Sequence, residues 1–264
     1  MLIKITESCH AGCIHCLSDC KPCDNHMSID TFVDALKFCI KYDNNPLGNI
    51  IAGGEPTENP MFKEFIETYY SIYDDNNICV VATNGHWILE NQETVLDMLK
   101  KHSHLFFQVT YDPRYYPKKL DITKRILREE RIGGVCPVDY IYPLGRAVEN
   151  NIPKSDKITV PKCLNVKLVA AQMQDKGLKD IIHYLRTELI HAQCSPSINY
   201  DGSIAFGESN LCPRLCNIYD DEQTIINAII NNKCEKCSEY LDKDKMEFYK
   251  KVIDEFSNGI FRRN

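Results

Sequence analysis

Three cysteines, Cys9, Cys13 and Cys16, are spaced C-x3-C-x2-C and constrain this chain more than any other feature of its sequence. They follow directly on a first predicted strand, Leu2–Thr6, and they belong to a total of 14 cysteines in 264 residues. Disulfide scaffolds are typical of short secreted domains. This chain is not short, and its first residues lack the basic start, apolar stretch and cleavage site of a signal peptide. The sequence therefore predicts a cytoplasmic protein whose clustered cysteines are metal ligands or redox centres.

The composition excludes two classes of partner. The chain is 44% hydrophobic and 26% charged, as expected for a globular protein with a sizeable core. Its formal net charge of -6 gives no broad attraction to nucleic acid, so no nucleic-acid partner is predicted. No run of about 18 uncharged apolar residues occurs, so we expect neither a transmembrane helix nor a membrane partner.

Predicted strands and helices alternate over roughly the first 190 residues. The strands are short apolar or alternating runs at Leu2–Thr6, Asn49–Ala52, Ile78–Ala82, Leu105–Val109, Val138–Tyr142 and Leu164–Val169. Helical spacing of apolar residues follows Ser28, an N-cap, and recurs at Met61–Ile72, Thr94–Leu99, Ile122–Glu130 and Leu178–Leu189. Six strands with intervening helices predict an α/β fold, a partial (β/α)6 TIM-like barrel with active loops at the carboxyl ends of its strands.

The pattern changes after His191. Ser195–Tyr200 and Ser203–Phe206 flank the turn residues Asp201-Gly202, an arrangement that predicts a β-hairpin. Two further helices are predicted at Glu222–Ile230 and Lys245–Phe256. We therefore expect two domains, the barrel over residues 1–190 and a small α+β domain over residues 191–264.

Two motifs near the amino terminus carry chemistry. Three thiolates on one short loop can hold three irons of a 4Fe–4S cluster and leave the fourth iron open to a small chelating ligand. Zinc accepts thiolates equally well, so a zinc site is the alternative. The second motif, Gly53-Gly54-Glu55-Pro56, closes the second predicted strand. Paired glycines let a backbone approach a ligand closely, and Glu55 could supply charge to an ammonium group.

Together these motifs resemble the signature of the radical S-adenosylmethionine (SAM) superfamily, and the resemblance covers most of the chain. It implies that Cys9, Cys13 and Cys16 bind a catalytic 4Fe–4S cluster whose open iron is chelated by SAM. It also implies that the segment formed by Gly53, Gly54, Glu55 and Pro56 holds the methionyl ammonium of SAM.

Weaker motifs end the next three predicted strands, and they are similar to segments of the same family. Asn84 lies in a Thr-Asn-Gly sequence, for which a plain turn is the alternative. Thr110 or Asp112 is placed to contact the SAM ribose, although Asp112 precedes Pro113 and could simply start a turn. Arg146 could pair with the SAM carboxylate or a substrate acid, or form a surface salt bridge.

Cys16, Cys20 and Cys23 repeat the first spacing in an overlapping frame. We favour the frame that starts at Cys9 because it directly follows the strand. The pair Cys20 and Cys23 stays unassigned, and it could bind a metal of its own, guide the loop or have no role.

A second group of cysteines lies near the carboxyl terminus, at Cys194, Cys212, Cys234 and Cys237. It resembles the twitch domain, the shortened form of the SPASM domain, in which four such cysteines ligate an auxiliary 4Fe–4S cluster. Tetrahedral zinc is the alternative for four cysteines of this spacing. Cys216 could replace Cys212 as a ligand.

The resemblance implies an enzyme that reductively cleaves SAM to a 5′-deoxyadenosyl radical and abstracts hydrogen from its substrate. A ribosomally synthesised peptide is the favoured substrate, and a small molecule such as a sugar alcohol or a cofactor precursor is the alternative. The chain starts eight residues before Cys9. We therefore expect no amino-terminal peptide-recognition domain, and a separate recognition protein could replace it. A flavodoxin- or ferredoxin-like protein is the expected electron donor.

A zinc-stabilised binding module without radical chemistry is the hypothesis from a different class. Its iron content and its failure to cleave SAM would distinguish it. The sequence identifies no catalytic acid, base or radical quencher.

Overall fold

A computed structural model of the chain describes residues 1–43, 48–74, 76–136, 141–142, 144–153, 162–187, 196–232, 234 and 251. Within these ranges, every helix is too short or too polar to cross a membrane.

Within the described part of the chain, eight strands form one sheet. In chain order they are β1 Leu2–Lys4, β2 Asn49–Ala52, β3 Cys79–Thr83, β4 Leu105–Thr110, β5 Ile132–Cys136, β6 Pro196–Ile198, β7 Ser203–Phe206 and β8 Arg214–Asn217. Their order across the sheet is β5-β4-β3-β2-β1-β6-β7-β8. Neighbours from β5 to β6 run parallel, and β7 and β8 continue the sheet antiparallel. A sheet that is mostly parallel and carries intervening helices is the α/β class that the sequence predicts.

Helices connect the strands. They are α1 Ile29–Tyr42, α2 Phe62–Ile72, α3 His86–Glu90, α4 Gln92–Lys101, α5 Arg146–Glu149, α6 Lys162–Met173, α7 Leu178–Thr187 and α8 Glu222–Ile230. Two 3-10 turns lie at Pro56–Glu58 and Arg125–Arg128. The second replaces the helix predicted at Ile122–Glu130.

Helix α1 shows why these segments are helical. The Ser28 side chain accepts a hydrogen bond from the Thr31 backbone N–H at 3.1 Å and so caps the first turn. Phe32, Leu36 and Cys39 recur at a spacing of three to four residues, and all three are fully buried. This apolar stripe packs the helix against the core.

Alternation along the parallel strands gives the sheet a closed face and an open face. Side chains of successive strand residues point to opposite faces. One set is fully buried in the core, at Ile3, Ile51, Val81 and Phe107. The other set lines a cavity, at Lys4, Ala52, Ala82 and Gln108. Because parallel strands end at the same edge, the loops that follow β1 to β4 surround this cavity.

Strand β5 covers Ile132–Cys136, a segment that the sequence did not predict because its two consecutive glycines weaken the strand pattern. Most of the strand predicted at Val138–Tyr142 lies outside the described residues, since residues 137–140 are not described. The strand predicted at Leu164–Val169 is wrong, because this segment belongs to α6. Its buried residues Val166, Val169 and Ala170 are spaced as one helical face.

The predicted hairpin is confirmed. Strands β6 and β7 pair antiparallel around Asp201-Gly202, and Gly202 has a φ of +79°, a conformation that favours glycine. Strand β6 also pairs in parallel with β1, so the sheet continues across the predicted domain boundary. Helix α8 has its predicted bounds, whereas the predicted helix Lys245–Phe256 lies almost wholly outside the described residues.

Candidate functional site

A cavity of about 410 Å³ lies at the carboxyl ends of β1 to β4. Its lining draws on each loop that follows these strands. The polar and cysteine residues that line it are Lys4, Cys9, Cys13, His15, Cys16, Ser18, Cys20, Glu55, Thr83, Asn84, Gln108, Thr110, Tyr116 and Glu208. The structure therefore brings the first cysteine group and the Gly53–Glu55 segment to one site.

The loop that carries the first cysteines is held at its start by Glu58. One carboxylate oxygen accepts from the Ser8 hydroxyl at 2.8 Å, and the other accepts from the His10 backbone N–H at 2.7 Å. Further along the loop, the Ile14 N–H donates to the Tyr115 carbonyl at 3.0 Å. These contacts hold the cysteine loop at the carboxyl end of β1.

Gly53 and Gly54 pack directly against this loop. The Gly54 N–H donates to the Thr6 carbonyl at 2.9 Å, and a Cβ at Gly54 would lie 2.2 Å from the Ser8 carbonyl oxygen. A Cβ at Gly53 would lie 2.2 Å from the Thr6 carbonyl oxygen. From the sequence, we predict that the two glycines let the backbone approach a ligand closely. In the structure they line the cavity, and the close approach that requires them is to the cysteine loop.

Glu55 joins the ends of β2 and β3. Its carboxylate is 3% exposed and accepts from the Thr83 hydroxyl and the Asn84 backbone N–H, both at 2.7 Å. The Thr57 hydroxyl also donates to it at 2.7 Å. Burial raises the pKa of Glu55 above its ordinary value, and these hydrogen bonds oppose the rise. Pro56 begins the 3-10 turn that follows and is buried.

Asn84 both forms a turn and lines the cavity. Its side-chain oxygen accepts from the His86 N–H at 3.0 Å, and Gly85 follows with a φ of +83°. The turn and the site contact, which the sequence left as alternatives, are therefore compatible.

Thr110 and Asp112 have different surroundings. Thr110 lies at the end of β4 and lines the cavity. Asp112 is 2% exposed, and its carboxylate accepts from the guanidinium of Arg114 at 2.6 Å and from the Arg114 backbone N–H at 3.0 Å. Its own carbonyl accepts from the N–H groups of Tyr115 and Tyr116. The Asp112 side chain thus builds the turn that supports the cysteine loop.

Arg146 binds the cysteine loop. Its guanidinium donates to the Cys20 carbonyl at 2.8 Å and lies 3.3 Å from an Asp19 carboxylate oxygen. Its backbone N–H donates to the Cys16 carbonyl at 3.0 Å. Arg146 is not among the described residues that line the cavity.

Four cysteines line the cavity, and a fifth does not. Burial raises the pKa of Cys9 and of Cys13 to about 12. Hydrogen bonds from the Cys20 and Arg146 side chains lower the pKa of Cys16. Cys23 is exposed, and it is absent from the described lining. The geometry therefore favours the frame Cys9, Cys13 and Cys16 over the frame that ends at Cys23.

The donor set fits an iron–sulfur cluster. Cys9, Cys13 and Cys16 place three thiols on one cavity wall, and a cluster binds each thiolate to a different iron. Among the described His, Cys, Asp and Glu side chains, no group of three stands close enough together to hold a single metal ion.

The carboxyl-terminal cysteines are only partly described. Cys212 and Cys234 are half-buried, and Cys216 lies in β8 with its pKa raised to about 12 by burial. Cys194 and Cys237 lie outside the described residues. Their ligand set stays a prediction.

Lys4 and His15 are two of the cavity residues that the sequence analysis missed. Lys4 is 2% exposed, donates to the Ser209 carbonyl at 3.4 Å, and has its pKa lowered to about 8 by burial. The feature of the sequence that could have identified Lys4 is a charged residue inside a short apolar strand. His15 lies with its ring centroid 5.1 Å from that of Tyr115 and 5.4 Å from that of Tyr116. Nothing local in the sequence indicates that these rings meet.

Comparison with known proteins gives likeness of structure alone. No protein-family model matches the chain, and no curated protein sequence does. The structure of BtrN in complex with AdoMet (SAM) and 2-DOIA matches with a TM-score of 0.52 and 14% identity, over 98% of this chain and 87% of that one. The structure of anSMEcpe with bound AdoMet matches with a TM-score of 0.53 and 16% identity, over 88% of this chain and 80% of that one.

Both of these structures contain bound AdoMet. The chain therefore shares the fold of these two proteins, and the predicted α/β fold class is confirmed.

Proposed function

We propose that this chain is a radical SAM enzyme that binds a 4Fe–4S cluster through Cys9, Cys13 and Cys16. One observation carries the proposal. The three thiols and the buried Glu55 carboxylate line the same cavity of about 410 Å³, at the carboxyl ends of parallel strands in a fold shared with two AdoMet-bound structures. Ligands of α/β proteins bind at this end of the strands.

When bound, the cluster and SAM supply a 5′-deoxyadenosyl radical, which takes a hydrogen atom from the substrate. The residues of the chain bind and orient. The Glu55 carboxylate accepts a hydrogen bond from the SAM ammonium. Thr57, Thr83 and the Asn84 N–H hold this carboxylate in position. Gly53 and Gly54 bring the β2 backbone to the cavity wall.

Polar contacts to the remainder of SAM come from Asn84 and Thr110, which both line the cavity. Asp112 and Arg146 support the loops around SAM and do not contact SAM themselves. Asp112 supports the turn that binds Ile14, and Arg146 holds the loop at Cys16 and Cys20. We propose these supporting roles in place of direct contacts to the SAM ribose and carboxylate.

An auxiliary 4Fe–4S cluster is the second part of the proposal. Its ligands would be Cys194, Cys212, Cys234 and Cys237, within a carboxyl-terminal domain that begins near residue 191. Cys212 follows the loop at Ser209 and Asn210 that contacts the first cysteine loop, which supports a site close to the cavity. Zinc at these cysteines is the competing assignment.

The substrate class is proposed from the size of the cavity. Its volume lies at the lower end of the range of about 300–1,000 Å³ that holds one drug-sized ligand. Since the cluster and SAM would both occupy this cavity, the substrate would insert only a small group, and its remainder would lie outside. A ribosomally synthesised peptide satisfies this by presenting one side chain, and a small alcohol is the alternative. A cytoplasmic location and a flavodoxin- or ferredoxin-like electron donor complete the proposal.

The test is 5′-deoxyadenosine formation by the anaerobically reconstituted protein with SAM and a reductant. Changing Cys9, Cys13 or Cys16 to Ala should reduce the product to background. The matched control is Cys23→Ala, which removes an exposed thiol of the same loop and should leave the product unchanged. A wild-type protein that binds zinc, takes up no iron and forms no product would identify a zinc-stabilised binding module.

A further inference from the structure

The segment that follows β4, residues 113–128, carries a strong excess of positive charge, and we call it the basic segment. It contains six lysine and arginine residues and one carboxylate, that of Asp121, for a formal charge of +5. The whole chain has a formal charge of -6, so its other residues together carry -11. The six cations are all exposed, at Arg114, Lys118, Lys119, Lys124, Arg125 and Arg128.

The basic segment packs directly on the loop that holds the first cysteines. The Tyr115 carbonyl accepts from the Ile14 N–H at 3.0 Å. A Cβ at Gly12 would lie 3.7 Å from the Pro117 side chain. Lys118 and Lys119 follow Pro117 in the chain and are therefore placed next to the cysteine loop.

The backbone of the segment is held in position while its charged groups face solvent. The Asp112 carbonyl accepts from the N–H groups of Tyr115 and Tyr116, both at 3.0 Å. Leu120 is 5% exposed, and Ile126 is 6% exposed, so both are anchored in the core. The positive charge thus has a fixed place relative to the cysteine loop.

The ion pairs of the segment leave much of this charge available. Lys118 lies 3.6 Å from a Glu90 carboxylate oxygen, and Lys124 lies 3.6 Å from one of Asp121. All four side chains are about half exposed or more, and exposed pairs of this kind interact weakly. Beside these cations the cysteine loop presents an apolar group to solvent, the 39% exposed side chain of Ile14.

We propose that the basic segment, together with Ile14, is the docking surface for an acidic protein that donates an electron to the first cluster. The proposal rests on the proposed function. The donor is oxidised by one electron, and the cluster is reduced by one. Because the other residues carry -11, an acidic donor is repelled by most of the chain and attracted to this segment, which orients it on the cysteine loop. A small surface is sufficient, since weak redox complexes bury less than about 1,200 Å².

The experiment compares wild type with a double variant, Lys118→Glu with Lys119→Glu, after anaerobic reconstitution. The matched control is Lys37→Glu with Lys100→Glu, which makes the same change of net charge at exposed lysines of α1 and α4. Affinity for an acidic flavodoxin is measured by fluorescence anisotropy at low and high ionic strength. Formation of 5′-deoxyadenosine is then driven either by the reduced flavodoxin or by dithionite, a small reductant that needs no docking surface. The electron paramagnetic resonance (EPR) spectrum of each reduced protein reports the state of its cluster.

The Lys118 and Lys119 variant should bind the flavodoxin about tenfold or more weakly at low ionic strength, and its flavodoxin-driven rate should fall accordingly. The difference should shrink at high ionic strength, where salt screens exposed charges. The dithionite-driven rate, the EPR spectrum and the control variant should match wild type.

Equal flavodoxin affinity of the two double variants would overturn the proposal and leave an acidic substrate peptide as the occupant of these lysines. A parallel loss of the dithionite-driven rate would also overturn it, because the lysines would then serve the site itself. A wild type without a cluster signal and without product from dithionite would instead overturn the proposed function.

Discussion

Glu55 is the residue on which SAM recognition depends in this account. Its carboxylate is 3% exposed and accepts four hydrogen bonds, all from Thr57, Thr83 and Asn84. These neighbours orient a negative charge toward the cavity without neutralising it. Because all four donors are neutral groups, this buried carboxylate is suited to bind a cation from a ligand.

Glu55→Gln should weaken SAM binding roughly tenfold or more, because a hydrogen bond to a charged group contributes about 1.5–3 kcal/mol. The dissociation constant of SAM, measured on protein of equal iron content, checks this. Asp121→Asn is a matched control, since Asp121 is an exposed carboxylate that binds Thr123. Equal affinities of wild type and Glu55→Gln would remove Glu55 from the site.

The same residue predicts a pH dependence. Burial raises the pKa of Glu55, so its carboxyl takes up a proton at a higher pH than an exposed glutamate does. Only the deprotonated form attracts an ammonium group. SAM affinity should therefore fall as the pH is lowered through this raised pKa, and the fall should be absent in Glu55→Gln.

At the scale of elements, the end of β2 and the cysteine loop form one packed unit. Gly54 has no room for a side chain, since a Cβ would lie 2.2 Å from the Ser8 carbonyl. Gly133 in β5 is a glycine of the same sheet with room, since a Cβ there would lie 3.5 Å from the Phe107 carbonyl.

Gly54→Ala should lower the free energy of unfolding by about 1–3 kcal/mol or more, the usual cost of overpacking. Gly133→Ala should cost clearly less, because ordinary van der Waals contact is preserved. Chemical denaturation of both variants checks the difference. Equal stabilities would show that the loop does not pack against β2 as described.

Sequence patterns predicted those features that are determined by residues close together in the chain. The spacing of Cys9, Cys13 and Cys16 and the Gly53–Glu55 turn could be recognised because both lie within single short segments. The strand predicted at Leu164–Val169 failed because a short alternating run also fits one face of a helix. The contact of Arg146 with Cys20 joins residues 126 positions apart, and no local pattern encodes it.

At the scale of the whole molecule, the carboxyl-terminal strands and the first site are joined. Strand β6 pairs with β1, and the loop after β7 binds the cysteine loop through the Ser209 hydroxyl and the Leu17 carbonyl at 2.7 Å. The two proposed clusters would therefore be bound by loops of the same sheet. Substitutions can still remove one cluster without the other, because the two clusters have different ligands.

Changing Cys234 and Cys237 together to Ala should reduce the iron content from about eight to about four per chain, the contents of two clusters and of one. Formation of 5′-deoxyadenosine should persist at least in part, since the first ligand set is intact. Iron analysis with a parallel product assay checks this. An unchanged iron content would remove the auxiliary cluster from the account.

The central claim is that Cys9, Cys13 and Cys16 hold a cluster whose open iron binds SAM. The most direct measurement is the EPR spectrum of the reduced, reconstituted protein recorded before and after addition of SAM. The account predicts a 4Fe–4S signal that changes on addition of SAM in the wild type and is lost when any of the three cysteines becomes Ala. A wild-type signal that SAM does not change, or no cluster signal at all, would contradict it.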